Sequence, residues 1–217
     1  LGDYVIERTQ TEDRHFSDLA ETHRAAAAAL TARMARLKPD EIDRRFAQFF
    51  PLKADGTCRS EARSFDGYKD AVGDYYYGLG AYISDCRHMT QADKAMMVAA
   101  YHVVATVGEV VSREYDNFYF FTPNTRLIMF GPQRADHLMF YRHDAPATLD
   151  VSHEQMVDLT RPAGNPERNI RCTNLQRLVQ DRDGARLATA CVTPVDVKGH
   201  HIGGFGSSIQ LAGYFMK

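Results

Sequence analysis

The chain has 217 residues, with 26 Lys and Arg against 28 Asp and Glu, and four cysteines. A formal charge of −2 excludes bulk electrostatics as the basis for binding nucleic acid or an anionic membrane surface. The length allows one large domain or two small ones, and no apolar run is read as approaching the roughly 20 residues of a bilayer-spanning helix.

Residues 12 to 37 read as one long helix. Phe16, Leu19, His23, Ala26, Leu30, Met34 and Leu37 follow three-four spacing, and Ala25 to Ala29 is a run of the best helix former. Arg14, Asp18, Glu21, Arg24, Arg33 and Arg36 fill the other face, and Lys38-Pro39 ends it. Such a helix serves either as a core element or as a stalk entering from a membrane. Asp40 to Ala47 adds a further helical turn or two. Phe49-Phe50-Pro51-Leu52, followed by Ala54-Asp55-Gly56, predicts a small hairpin or an irregular excursion. Residues 64 to 90 include Tyr75-Tyr76-Tyr77-Gly78 and read as a packed loop over buried rings, with an aromatic ligand platform as the alternative. Thr90 as N-cap, with Asp93 in the first turn, opens a second long helix. Its core stripe is Met96, Ala100, Val103, Val107 and Val110, and it runs to about Tyr115.

From Asn117 the period changes. Phe118 to Phe121, Thr122-Pro123-Asn124-Thr125 and Arg126 to Phe130 form a β-hairpin that stops at Gly131-Pro132. Asp136 to Arg142 reads as a short helix. Ser152-His153-Glu154-Gln155 reads as a capping box opening a helix to about Leu159, and Thr160 to Pro166 as a loop. Three antiparallel strands follow. The first runs from Asn165-Pro166-Glu167-Arg168 through Arg171-Cys172-Thr173. Turns at Asp181 to Gly184 and at Lys198-Gly199 supply the positive φ of tight hairpins. Leu187, Thr189, Cys191, Thr193 and Val195 alternate as in a sheet with two unlike faces.

No catalytic, metal or cofactor site emerges. His200 and His201 are adjacent in a strand and point to opposite faces, and there is no His-Glu-x-x-His. Gly203, Gly204 and Gly206 do not open a helix after a strand, and Ser207-Ser208 lacks a Gly-x-Ser-x-Gly elbow. The cysteines, at 58, 86, 172 and 191, include no Cys-x-x-Cys. Two disulfides, or four buried thiols, both fit the count. A four-residue loop at Asp181 to Gly184 sets Cys191 opposite Asn174, and a shift of one pair or a bulge sets it opposite Cys172. Cys58 and Cys86 form the second candidate pair, without strand geometry to support it.

The set Asn-Pro-Glu-Arg, Asp-x-Asp-Gly, Thr-Pro-Val, Gly-x-x-Ile-Gly-x-x-Gly and Ile-x-Leu resembles the last three strands of an extracytoplasmic Cache domain. These are the PAS-like sensor modules of bacterial histidine kinases, diguanylate cyclases and chemoreceptors. The resemblance covers about residues 115 to 211. It implies an α+β fold: a PAS-like antiparallel sheet with a long N-terminal helix and a second long helix packed on it. Residues 1–115 would form a helical stalk and helical/loop region, and residues 116–217 the sheet, as one compact unit. The order of two strands, a helical crossover and three strands is the PAS-like pattern.

The resemblance implies a non-enzymatic sensor on the periplasmic face of the bacterial inner membrane. The first residues, Leu1-Gly2-Asp3, and the last, Phe215-Met216-Lys217, read as a segment of a longer protein with flanking spans. A histidine kinase is the preferred output, and signalling would pass through the terminal helices of a homodimer paired along the N-terminal helix. A small, anionic ligand would bind on the sheet under the crossover, residues 131 to 170. The ligand-binding candidates are Tyr119, Tyr141, Arg142, Asp144, Arg161, Arg168, Arg171 and Thr173, the guanidinium groups serving as a bidentate clamp. For each charged residue the competing reading is surface ion pairing, as of Arg142 with Asp144 or Glu167 with Arg168. Relatives that sense amino acids tend to carry Asp where Ser208 stands, which argues against an amino-acid ligand. The alternative to a ligand sensor is a module controlled by a periplasmic partner protein.

Overall fold

The computed structural model describes residues 2–177 and 187–210. The first helix, α1 (Gly2–Met34), starts ten residues earlier than its apolar stripe predicts and stops three residues sooner. Leu19, His23, Ala26 and Leu30 of that stripe are buried, whereas Phe16 is exposed. The second, α2 (Pro39–Phe49), begins with Pro in its first turn, where a missing N–H costs nothing, and buries Ile42, Arg45, Phe46 and Phe49. Between it and the next long helix lie β1 (Cys58–Arg59), α3 (Ala62–Asp66), the hairpin β2 (Tyr68–Lys69) and β3 (Tyr75–Tyr76), and β4 (Leu79–Ile83). The packed loop expected over residues 64 to 90 therefore contains a wholly buried strand. Leu79-Gly80-Ala81-Tyr82-Ile83 shows no polar alternation because both its faces are covered.

Helix α4 (Gln91–Val111) opens with the predicted cap. Thr90 Oγ1 accepts the Asp93 N–H, and the Asp93 carboxylate accepts the Thr90 N–H. The helix ends at Val111, short of Tyr115. Contrary to the sequence expectation, α4 is long and apolar enough to cross a membrane by length and composition. Its apolar side chains pack instead against α1, α2, β5 (Phe118–Thr122) and β6 (Arg126–Phe130), which makes it a core helix, although Val110 of the expected stripe is exposed near its end.

The crossover holds a single π turn at Phe140–Asp144 in place of the helix expected over 136 to 142, and a short α5 (Gln155–Asp158). The capping box expected at Ser152 does not form. The Ser152 N–H is taken by Asp150, and Glu154 caps α5 without a side-chain bond. The chain returns through β7 (Arg171–Cys172), β8 (Gln176–Arg177), β9 (Leu187–Val197) and β10 (His200–Gln210). The turn expected at Asp181 to Gly184 and the outward run beyond Gln210 lie outside the described residues. Lys198 and Gly199 have φ of 52° and 80°, the left-handed pair that a two-residue hairpin needs.

These strands make one antiparallel sheet in the order β1-β4-β6-β5-β10-β9-β7, with β8 also on β9. The sheet crosses residue 115: β1 and β4 extend it beside β6. A bulge in β10 separates the His201–Asp196 and Gly203–Val195 pairs, so Ile202 is the extra residue. The fold is thus α+β, with the sheet between two unlike layers. On one face α1, α2 and α4 pack on Leu79, Ile83, Phe118, Phe120, Ile128, Phe130 and Phe205. On the other, the crossover packs on Tyr82, Tyr119, Phe121, Leu127, Met129, Ala190 and Val192.

The chain carries two disulfides, Cys58–Cys86 and Cys172–Cys191. Cys172 lies directly opposite Cys191, two residues along the strand from the Asn174 facing that a four-residue loop gives. Both bonds fit an oxidising compartment.

Candidate ligand-binding site

The face under the crossover is where the sequence places a ligand. Strand alternation puts Tyr119 of β5, Gly204, Gly206 and Ser208 of β10, and Ala190 and Val192 of β9 on that face. A Cβ at Gly206 would collide with the Tyr119 ring, and one at Gly204 with Phe121 and the Thr160 methyl. The two glycines therefore let the rings lie flat on the last strand. Tyr119 shares a hydrogen bond with the Ser208 hydroxyl and sits beside Tyr141 from the crossover. Burial raises the pKa of both phenols, so both remain neutral hydrogen-bonding groups. Thr173 continues the stripe. Its N–H donates to the Ala190 carbonyl, and its hydroxyl accepts the Ala190 N–H.

The structure thus aligns Tyr119, Tyr141 and Thr173, and adds Ser208, which the sequence reading had weighed only as a missing carboxylate. Its position follows from parity with Gly204 and Gly206. Beside Tyr141, Arg134 forms a bidentate pair with Asp136, at 2.9 and 2.6 Å. Burial opposes ionisation of Asp136, but the guanidinium outweighs it and holds the carboxyl below its ordinary pKa.

The remaining guanidinium candidates do not converge. Arg168 makes a bidentate pair with Asp196, rather than with Glu167, and donates to the Thr160 carbonyl at 2.6 Å. Its guanidinium also lies 3.1 Å from His201 Nδ1, which faces the Asp196 carboxylate as well. Arg161 is held by Asp158 and the Ser152 carbonyl, and Arg171 by the Gly164 carbonyl. Asp144 is exposed and bonded to His143. Arg142 differs from these. It donates to the His137 carbonyl and lies over the Phe65 ring, makes no ion pair among the described residues, and has a buried Nε without an acceptor. Burial lowers its pKa, the mark of a cation without full compensation.

Point contacts fasten the crossover down. Arg59 donates to the carbonyls of His143 and Ala145, and Tyr82 to that of Pro146. Thr125 Oγ1 accepts the Val151 N–H.

On the helix side, two buried histidines are polar cores. His23 lies between the hydroxyls of Thr193 and Ser207, at 3.0 and 3.1 Å, and burial lowers its pKa to about 3. Arg45, held by Glu41 and Asp70, donates to His102 Nε2. The imidazole proton is therefore on Nδ1, which donates to Tyr76 Oη at 2.6 Å. Burial, with Arg33 and Arg45 nearby, lowers the His102 pKa to about 3. The sequence signal for this chain of bonds was only an Arg on the buried face of α2 and a Tyr-rich stretch. Among the described residues no group of three or more His, Cys, Asp or Glu side chains is placed to hold a metal.

In comparison with known proteins, no family model, no curated protein and no solved structure matches the chain.

Proposed function

We propose that this chain is an extracytoplasmic sensor module of the PAS-like Cache kind, part of a membrane-bound signalling protein, with a histidine kinase as the preferred output. The observation that carries the reading is the order of elements: the β5–β6 hairpin, a crossover laid over one sheet face, then β7 to β10, with the last strand beside the first. Two disulfides support an oxidising location, here the periplasm. The ligand is a small anion held under the crossover, with Tyr119, Tyr141, Ser208 and Thr173 as polar contacts and Arg142 as its charged partner. The signal leaves through α1 of a homodimer.

A second reading, a module answering to a partner protein, draws on a different observation. Tyr119, Phe121 and Thr160 already occupy the space over Gly204 and Gly206.

A thermal-shift screen of small carboxylates and phosphate esters, followed by calorimetry, tests the first reading. A ligand at a hundred times its Kd stabilises the fold by about 2.7 kcal/mol. Arg142→Ala should then weaken binding about tenfold or more, the loss of a charge-assisted hydrogen bond. Unchanged affinity removes Arg142 from the site. A screen in which no anion shifts the melting curve leaves the partner-protein reading.

A further inference from the structure

The two disulfides sit in unlike surroundings. Cys58 and Cys86 are both buried in the core on the helix side. In the second bond Cys191 is fully buried in that same helix-side core, but Cys172 is exposed. Its strand, β7, is two residues long and closes one edge of the sheet. The crossover runs directly into β7. Arg171 reaches back to the Gly164 carbonyl, and Thr173 bonds to Ala190 on the far side of the cysteine. The bond therefore stands where the end of the crossover is fastened to the sheet.

We propose that Cys172–Cys191 is a thiol–disulfide exchange site, a latch on the crossover opened by a dithiol, while Cys58–Cys86 is a fixed structural bond. A thiolate of the dithiol attacks the sulfur of Cys172, the exposed residue of the pair. The sulfur–sulfur bond breaks, a mixed disulfide forms on Cys172, and Cys191 leaves as a thiolate and takes up a proton. The second thiol of the dithiol loses its proton and attacks the mixed disulfide, which releases Cys172 as a thiol. Two electrons and two protons have then passed to the protein, and the dithiol leaves as its own disulfide. Access decides which bond reacts, because the nucleophile must reach a sulfur. Reduced Cys191 stays in the core as a small apolar side chain. Without the covalent link, β7 is held by two backbone pairs, the Thr173 contacts and the Arg168–Asp196 pair. The crossover loosens at that end, while Cys191 stays packed in the helix-side core. The latch does not depend on a ligand being found beneath the crossover.

Graded dithiothreitol on the folded protein, without denaturant, tests this. Samples are quenched by alkylation, and the labelled cysteines are mapped by mass spectrometry. Cys172 and Cys191 should label at least about tenfold faster than Cys58 and Cys86. Hydrogen exchange should rise over residues 160–173 and stay unchanged in α4. Reduction of both bonds at one rate, or of Cys58–Cys86 first, overturns the proposal. So does labelling of Cys172 and Cys191 with no change in exchange over 160–173. A Cys172→Ser, Cys191→Ser double variant should reproduce the exchange pattern of the reduced protein. If that variant fails to fold, the labelling rates of the unaltered protein still decide.

Discussion

The two faces of the sheet are covered by different physics. On the helix side the cover is continuous area. Phe49 stacks on Tyr101 with ring centroids 4.1 Å apart, Phe118 stacks on Phe205, and the two buried histidines, His23 and His102, are bonded at both ring nitrogens. On the crossover side the cover is a chain with one π turn and one short helix, tied down at separate points by Arg59, Tyr82, Thr125 and Arg168. Burial summed over many side chains is lost all at once. Point ties can be lost singly, so the crossover side can open locally while the rest stays folded.

The largest expected effect sharpens this contrast from the helix side. Phe49→Ala removes a fully buried ring that meets Phe50, Tyr76, Tyr101 and His102. It should cost about 3–5 kcal/mol of global stability, read as a lower urea midpoint. A loss under 1 kcal/mol would show that this layer too is made of separable parts.

Acid is the next lever, and it also acts through the helix side. His23 and His102 have folded pKa values of about 3, below their ordinary value of 6.5. Between those limits the unfolded chain binds more protons than the folded one, so stability is full above pH 6.5 and falls as pH drops toward 3. Two such groups give a loss of about 2 kcal/mol between pH 6 and pH 5. His201 on the crossover side shifts in the same direction. Urea titrations at pH 7, 6 and 5 measure it, and a flat profile would mean that the imidazoles do not stay neutral in the fold.

The smallest effect belongs to the crossover side. Arg168→Ala should cost about 1 kcal/mol globally, as expected for a partly exposed ion pair. Hydrogen exchange should nevertheless rise sharply over residues 160–168. A uniform rise across the whole sheet would erase the distinction between the two faces.

Much of this architecture was legible where the chemistry is local. The Thr90–Asp93 cap, the hairpin ending at Phe130 and the Lys198-Gly199 turn are each decided by a few neighbouring residues. The Cys172–Cys191 pair was reachable from hairpin parity, short of a register that depends on a loop outside the described residues. Strand β4 was missed because burial on both faces removes the alternation that marks a strand, and Gly and Tyr around it imitate a loop. The arginines were overread for a related reason. Sequence shows that a guanidinium exists, but its partner is set in three dimensions, and for Arg168 that partner is Asp196, 28 residues away. Arg142 was indistinguishable from the others until their partners were known.

The bulge at Ile202 has a consequence for length variation in the chain. Gly203 to Gln210 already pair as they would if residue 202 were absent, because the bulge absorbs that one position without changing which side faces the helices. A chain lacking Ile202 would keep Phe205 under the helices and Gly204 and Gly206 under the crossover. Removing any one residue between Gly204 and Ser208 has no such shelter. The side chains between the deletion and the end of β10 would exchange faces, and loss of Gly204 would set the Phe205 ring where a Cβ already collides with Phe121 and Thr160. Strand β10 therefore has one tolerant position for insertion or deletion, and it lies at the turn end, next to His201.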